Sequence, residues 1–375
     1  MIYIVIVISV IYTILIIAFI SGFNYLKNFK SRETSPKNTF TIVVAFRNEV
    51  ENLPKLLQSL SNLNYPANLF EILLVNDNST DAFEPIIAGF KKQYPQLTIV
   101  LLNNKRTSNS PKKDAISVGI QQSKFDWIVT TDADCEVPKN WLTLFNEFIE
   151  DKKPLFISAP VSFKQKASFL FHFQNLNFIS LIGSTIGGFG IKKPFMCNGA
   201  NLCYSKKIFN EINGFVGNET IASGDDIFLL EKMIEKHPNK TLFLKSEESV
   251  VLTNSALTWK QFFNQQIRWA SKSTSYKNNF AKFVGIMVFL ENLMIFTVII
   301  TTLINPIHWK AFFIIFIQKM FVDFLLIEKT SKFLKNRKSL IFVPITSLLY
   351  PFYILFVSLF STFKKYEWKG RVYKK

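Results

Sequence analysis

The chain has 375 residues, 49% of them apolar, with 40 Phe against 13 Gly. That balance excludes a disordered, collagen-like or disulfide-scaffold protein. Cys135, Cys197 and Cys203 are too few for a disulfide framework, and His172, His237 and His308 stand too far apart for a zinc site. A surplus of 44 Lys and Arg over 27 Asp and Glu gives a net charge of +17, which suits nucleic acid, anionic lipid or an acidic substrate.

In chain order, residues 2–20 are uncharged and apolar, close to the ~20 residues that cross a ~30 Å hydrocarbon core. A cleaved signal peptide would need a basic leader and a shorter apolar run. Lys27, Lys30, Arg32 and Lys37 follow, so the positive-inside rule keeps the next domain in the cytoplasm.

Residues 39–46 read as a buried strand and residues 50–62 as a helix. Residues 71–75 form a second strand, ended by the turn cluster Asn76–Asp81. A helix over 82–93, a strand over 97–102, a helix over 111–123 and a strand over 126–131 continue the alternation. The pattern predicts an α/β domain with a mostly parallel sheet and helices on both faces. Ligands of such sheets bind at the carboxyl ends of the strands. The polar clusters 47–49, 76–81 and 132–134 each follow a strand directly, so three loops converge there. Residues 167–190 are apolar but contain His172, Gln174, Asn175 and Asn177, and read as a surface leaning on the membrane or an acceptor groove.

Three more apolar stretches close the chain, at 283–304, 311–327 and 340–363. Glu291 is a lone acid in the first of these, while Lys319 and Asp323 stand four apart in the second and can pair on one helix face. The basic loop 328–339 and the basic tail should both be cytoplasmic. That parity, with Pro344 and Pro351 interrupting the last stretch, predicts a bent, re-entrant segment rather than a full span. The expected organisation is therefore a membrane helix over 1–22, a basic linker over 23–38, a cytoplasmic domain over 39–275, a membrane region over 276–363 and a tail over 364–375. Charge spread over cytoplasmic loops and tail suits anionic head groups better than nucleic acid.

Asp132 and Asp134 place two carboxylates at a strand end, an oxygen pair suited to Mg2+ or Mn2+ but also to a plain solvated turn. Asp77 is placed to accept from a nucleobase or ribose, or to make an Asx-turn, for which Asn76 and Asn78 are equally suited. Lys112, near a helix start, is either a diphosphate contact or a solvated charge. Gly224-Asp225-Asp226 precedes a helix, where a carboxylate is a cap or a general base. Gln265 and Arg268 share a helix face, next to Trp269; the Arg can hold a diphosphate bidentately and the Trp can stack or anchor at an interface.

Taken in order, Val44–Glu49, Val75–Asp81, Lys112, Asp132-Ala133-Asp134, Asn198-Gly199-Ala200-Asn201, Gly224-Asp225-Asp226 and Gln265/Arg268/Trp269 resemble the motifs of family-2 glycosyltransferases of the GT-A fold with membrane helices. The end Trp368-Lys369-Gly370-Arg371 resembles a tail of bacterial members. The resemblance implies that Ala45, Arg47 and Glu49 line a nucleotide pocket, that Asp77 meets the nucleobase, and that Lys112 and Asp132 support the nucleotide. It further implies that Asp134 binds the metal, that Asp226 is the base with Asp225 beside it, and that Gln265, Arg268 and Trp269 cover the diphosphate and acceptor. Asn76 stands where the family often has an acid, and Asp225 where it often has Glu. The implied activity is inverting transfer from a nucleoside-diphosphate sugar to a lipid or lipid-linked acceptor at a bacterial inner membrane. Processive polysaccharide synthesis and non-catalytic nucleotide-sugar binding are the alternatives, and oligomeric state is not legible.

Overall fold

A computed structural model describes residues 2–32, 34–305, 307, 309–363, 366–368 and 371–373. The first helix, α1 (Ile2–Tyr25), leads through an extended linker to β1 (Phe40–Phe46), whose β-branched and aromatic side chains are almost wholly buried. There follow α2 (Leu53–Ser61), β2 (Phe70–Asn76), α3 (Glu84–Gln93), β3 (Thr98–Asn103), α4 (Pro111–Gln122) and β4 (Trp127–Thr130). Each lies within a few residues of its expected place. Pro stands at the first or second position of α2, α3 and α4, where its missing N–H costs nothing.

The chain then forms α5 (Trp141–Lys152), β5 (Phe156–Ser158), β6 (Val161–Phe163), α6 (Phe169–Gly190), β7 (Leu202–Ser205), α7 (Lys206–Glu211), α8 (Asp225–Lys236), β8 (Thr241–Phe243) and β9 (Val251–Thr253). The main sheet has the order β3-β2-β1-β4-β7-β5-β8. β7 is antiparallel to both of its neighbours, and the other adjacent pairs are parallel. β6 and β9 form a separate parallel pair. The register sets Phe46 opposite Asn76, so Arg47 and Asp77 leave the same sheet edge together.

α9 (Trp259–Ser271) precedes α10 (Asn279–Ile304), α11 (Trp309–Phe333) and α12 (Val343–Phe363). A short antiparallel hairpin, β10 (Tyr366–Trp368) and β11 (Arg371–Tyr373), ends the described chain. Among the described residues, three helices are long and apolar enough to cross a membrane: Tyr3–Tyr25, Asn279–Ile304 and Lys338–Phe363. α11, expected as a span over 311–327, carries Lys310, Lys319 and Asp323 and is not one of the three. It packs against α1, α6 and α10 on one side and leaves Phe313, Ile314 and Phe321 exposed on the other.

The apolar stretch 167–190 is a single helix, α6, and α1 lies directly on it. Glycines allow this approach. A Cβ at Gly190 would lie 1.9 Å from the Gly22 carbonyl oxygen, and one at Gly187 would lie 2.5 Å from that of Phe19. Lys245 ties the end of α1 to the sheet domain, donating to the carbonyls of Phe23 at 2.6 Å and Leu26 at 2.8 Å.

α12 is not interrupted as its prolines suggested. Pro344 falls in the first turn and Pro351 sits inside a continuous helix. Both flanks of this helix are tied to the sheet domain. Before it, Ser339 accepts from Asn175 of α6 at 2.7 Å and Lys335 pairs with Glu247 at 3.2 Å. Beyond it, Arg371 pairs with Asp77 at 2.5 Å. Arg371 follows Phe363 by eight positions, at most about 29 Å of chain.

Candidate active site

The carboxyl edge of the sheet opens into a cavity of about 1560 Å3. Arg47, Asp77, Asp132 and Asp134 enter it directly after β1, β2 and β4, as the alternation of strands and helices required. The other residues singled out by motif, Ala45, Glu49, Lys112, Asp225, Asp226, Gln265, Arg268 and Trp269, line the same cavity.

Asp77 is 3% exposed. Asn104 donates to its Oδ1 at 2.8 Å, and Arg371 of the tail occupies Oδ2. The Arg47 guanidinium caps the turn beneath it, donating to the Asp77 carbonyl at 2.9 Å and to the Asn78 carbonyl. The Asx-turn belongs to Asn76, whose Oδ1 accepts from the Ser79 amide at 2.8 Å, so the Asp77 carboxylate is left for other partners. Glu49 accepts from Asn52 at 2.6 Å. The Trp368 side chain lies outside the described residues.

Lys112 bridges two acids. Its Nζ stands 2.7 Å from Asp132 and 3.2 Å from Asp225. Burial opposes its charge, but the two carboxylates outweigh burial and hold the ammonium well above the ordinary lysine range. Its neighbour Lys113 points the other way. It donates to the carbonyls of Asn218 and Ile221, and burial pushes its pKa down to about 8.

Asp225 and Asp226 form the first turn of α8, where unpaired amides and the helix dipole favour carboxylates. The turn into that helix is made by Gly224 at φ 84°, a left-handed conformation that a side chain would strain. Asp226 accepts from the amides of Ile227 at 2.8 Å and Gly199 at 3.2 Å, and Lys272 lies 3.5 Å away. Burial would raise the Asp226 carboxyl. Lys272 and Lys112, with the two amides, outweigh it and hold the group below the ordinary aspartate value.

Motif reading passed over Lys272. Its signal was present, since it follows Arg268 by four and Gln265 by seven, at the C-cap of the same helix and in line with their face. α9 begins at Thr258, whose hydroxyl accepts from the Gln261 amide at 3.2 Å. This start turns Gln265, Arg268 and Trp269 to the cavity, while Phe262 and Ile267 are buried. Gln265 Oε1 is buried without a hydrogen-bond partner, and Trp269 packs near Phe178.

Among the described residues, no group of three or more His, Cys, Asp or Glu could hold a metal by itself. Asp132 and Asp134 remain a fitting partial set. Both are oxygen donors at one strand end, and the Thr253 hydroxyl donates to Asp134 Oδ2 at 3.3 Å. Mg2+ and Mn2+ are commonly held by one or two carboxylates with substrate phosphates and water completing the shell.

At the far side the cavity runs between helices. Tyr12 of α1, Asn177 of α6, Lys319 and Asp323 of α11, and Ser347 and Tyr350 of α12 line it there.

The chain is 34% identical over 109 residues to a beta-monoglucosyldiacylglycerol synthase of Synechocystis sp., covering 29% of this chain and 22% of that protein. It is 27% identical over 144 residues to a poly-beta-1,6-N-acetyl-D-glucosamine synthase of Staphylococcus epidermidis, covering 38% and 33%. It thus spans a third or less of the length of these relatives. A mannosyltransferase from Pyrobaculum calidifontis, solved with GDP-Man and Mn2+, superposes with a TM-score of 0.57 over 96% of this chain and 98% of that one. At 14% identity, that likeness establishes a shared fold. The description "Glycosyl transferase family 2" matches residues 41–212, and "Glycosyl transferase family group 2" matches residues 127–327, more than half of the chain. With a mostly parallel GT-A-like sheet carrying the site at its edge, the chain belongs to the family-2 glycosyltransferases.

Proposed function

We propose that this glycosyltransferase moves a sugar from a nucleoside-diphosphate sugar, most simply a UDP-sugar, to a membrane lipid or lipid-linked acceptor. The reaction takes place at the cytoplasmic face of a bacterial inner membrane. The observation that carries this reading is the single cavity joining the acidic sheet edge to the polar inner face of the membrane helices.

The reaction is one displacement with inversion. The acceptor oxygen bonds to the anomeric carbon, the bond from that carbon to the diphosphate breaks, and its electron pair leaves with the nucleoside diphosphate. Asp226 takes the acceptor's proton at a carboxylate oxygen, with Asp225 beside it on the same turn. Arg268, Lys112 and Lys272 are the cations that meet the leaving diphosphate. As Lys272 and Lys112 turn to it, Asp226 loses the pairing that holds its pKa down and becomes a stronger base. Asp77 takes the nucleobase, Ala45, Arg47 and Glu49 wall its pocket, and Gln265 and Trp269 face the acceptor. Asp134 and Asp132 would hold a Mg2+ or Mn2+ ion, which supplies positive charge at the diphosphate when bound.

The last helix fits a re-entrant or interfacial placement. Were α12 to cross a ~30 Å core, the roughly 29 Å of following chain could not bring Arg371 back to Asp77 inside the sheet domain.

The test is sugar transfer by the full chain in detergent, with labelled nucleotide sugars, Mn2+ or Mg2+, and total bacterial lipid. A discrete labelled lipid, absent with Asp226→Asn, is expected. The similarity to the Staphylococcus epidermidis protein favours polysaccharide synthesis as the second reading, and a long water-soluble product would establish it. Metal-dependent donor binding with no turnover on any acceptor would instead mark a binding protein.

A further inference from the structure

The membrane arm of the cavity contains a polar constellation that the transfer chemistry does not use. α1 ends where Lys245 takes the carbonyls of Phe23 and Leu26. Tyr12 lies eleven residues before Phe23, about 16 Å deeper along the helix and near the middle of a ~30 Å core. At that depth its hydroxyl donates to Asp323 Oδ1 at 2.7 Å, and Lys319 pairs with Asp323 Oδ2 at 2.6 Å. Lys319 is 4% exposed and lies 5.2 Å from the centroid of the Tyr350 ring.

From Tyr350 a run of neutral polar groups leads to Gln266 of α9. The Tyr350 hydroxyl donates to Asn177 Oδ1 at 3.1 Å, and the Asn177 amide lies 3.4 Å from Gln266 Oε1. Tyr353 donates to the same Gln266 oxygen at 2.7 Å. Two more groups on the cavity wall, Gln265 Oε1 and Ser255 Oγ, are buried without a partner. Intramembrane polar residues that only hold helices together satisfy one another in a packed interface. Here they face a cavity, and two of the wall's polar atoms remain unmet, so a ligand with hydrogen-bonding groups completes the set.

The charge balance selects among ligands. Among the described residues, Lys319 is the one cation that α1, α11 and α12 contribute to the wall, and Asp323 already neutralises it. The other nearby ionisable group is Glu291 on α10, fully buried with Ser9 3.3 Å from its carboxylate. Lys282, at the opposite, sheet-domain end of α10, is exposed. A phosphate entering this arm would have to break the Lys319–Asp323 pair and lie beside two acids. Hydroxyl groups, which both donate and accept, match Tyr12, Ser347, Tyr350 and Asn177 with no net charge.

We infer that the membrane arm is an acceptor-binding site for a neutral lipid whose head group carries free hydroxyls, such as a diacylglycerol or its glycoside, and that it selects against phosphate-bearing lipids. This inference rests on the lipid-acceptor reading above.

The experiment offers the full chain, in nanodiscs of zwitterionic lipid, a labelled nucleotide sugar and one acceptor at a time. The acceptors are diacylglycerol, monohexosyl diacylglycerol, phosphatidylglycerol and a prenyl phosphate. Two variants are compared, Ser347→Leu, which fills the arm, and Tyr12→Phe, which removes one hydroxyl and keeps the ring. Donor titration of each preparation verifies that it is folded. The neutral lipids should be glycosylated at least tenfold faster than the phosphate-bearing ones at equal density. The KM for the neutral acceptor should rise tenfold or more in Ser347→Leu and severalfold in Tyr12→Phe, with the donor KM unmoved. Preferred transfer to a phosphate-bearing lipid would keep the lipid reading and overturn this inference. Unchanged acceptor KM in both variants, in preparations that bind donor normally, would do the same. A water-soluble polymer with no labelled lipid would overturn the lipid reading itself.

Discussion

At the sheet edge the charged groups come from separate elements. Lys112 of α4 stands between Asp132, after β4, and Asp225 of α8, while Lys272, after α9, reaches Asp226, and Arg371 of the tail reaches Asp77. In the bundle of long helices the main pair, Lys319 and Asp323, comes from one helix at a spacing of four. The first arrangement has more acids than cations and can re-sort when a cation, a diphosphate or a base arrives. The second is a pair closed on itself within one helix. One cavity therefore joins an end whose charges come from separate elements to an end whose charges pair within one helix, the division that the proposed transfer needs between donor chemistry and acceptor positioning.

The largest expected effect tests the exchanging end. Asp226→Asn should lower turnover by roughly 10²–10⁴-fold, the usual worth of a positioned base, while titration with nucleotide sugar still shows binding. Asp134→Ala should weaken metal-dependent donor binding by at least roughly 10–100-fold, the cost usually seen when a group merely supporting a metal ligand is lost. Donor titration over a range of Mn2+ concentration measures it.

Lys272→Met sharpens the pH side of the comparison. Lys272 is the largest influence holding the Asp226 carboxyl down, so removing it raises that pKa. The acid limb of kcat/KM, where the base becomes protonated, should move to higher pH, and a limb that stays in place would show Lys272 to be only structural. Arg371→Ala should release the tail from the donor pocket, which limited trypsin digestion reads as severalfold faster cleavage in residues 364–375.

The smallest effect is positional. Single cysteines placed at Ile341, just before α12, and at Phe363, its last residue, both exposed, should react with an impermeant thiol reagent from the same side of sealed vesicles. Labelling from opposite sides would make α12 a full span and break the assignment of its tail to the donor pocket.

Much of the sheet end was legible because each polar cluster follows a strand without interruption. A strand of buried β-branched residues such as Phe40–Phe46 delivers the next side chains to one edge by geometry alone. The same local logic located α8 and α9 and the facing of Gln265 and Arg268. Lys272 was readable by spacing but carried no motif. Asn104, which holds Asp77, carried no signal, since its contact depends on the register of β2 and β3.

What the sequence by itself determined is whatever local periodicity controls: the alternating strands and helices, the apolar lengths of α1, α10 and α12, and the Lys319–Asp323 spacing on one helix face. Only the tertiary structure decided that Pro351 would be carried inside an unbroken helix, because neighbouring helices determine whether a freed backbone carbonyl can be accommodated. It likewise decided that α6 would be a full helix packed on α1 through Gly187 and Gly190, and that Arg371 would close on Asp77 from 294 residues away. These are contacts between elements remote in the chain. A sequence records which residues can make such contacts, and packing in three dimensions selects which of them meet.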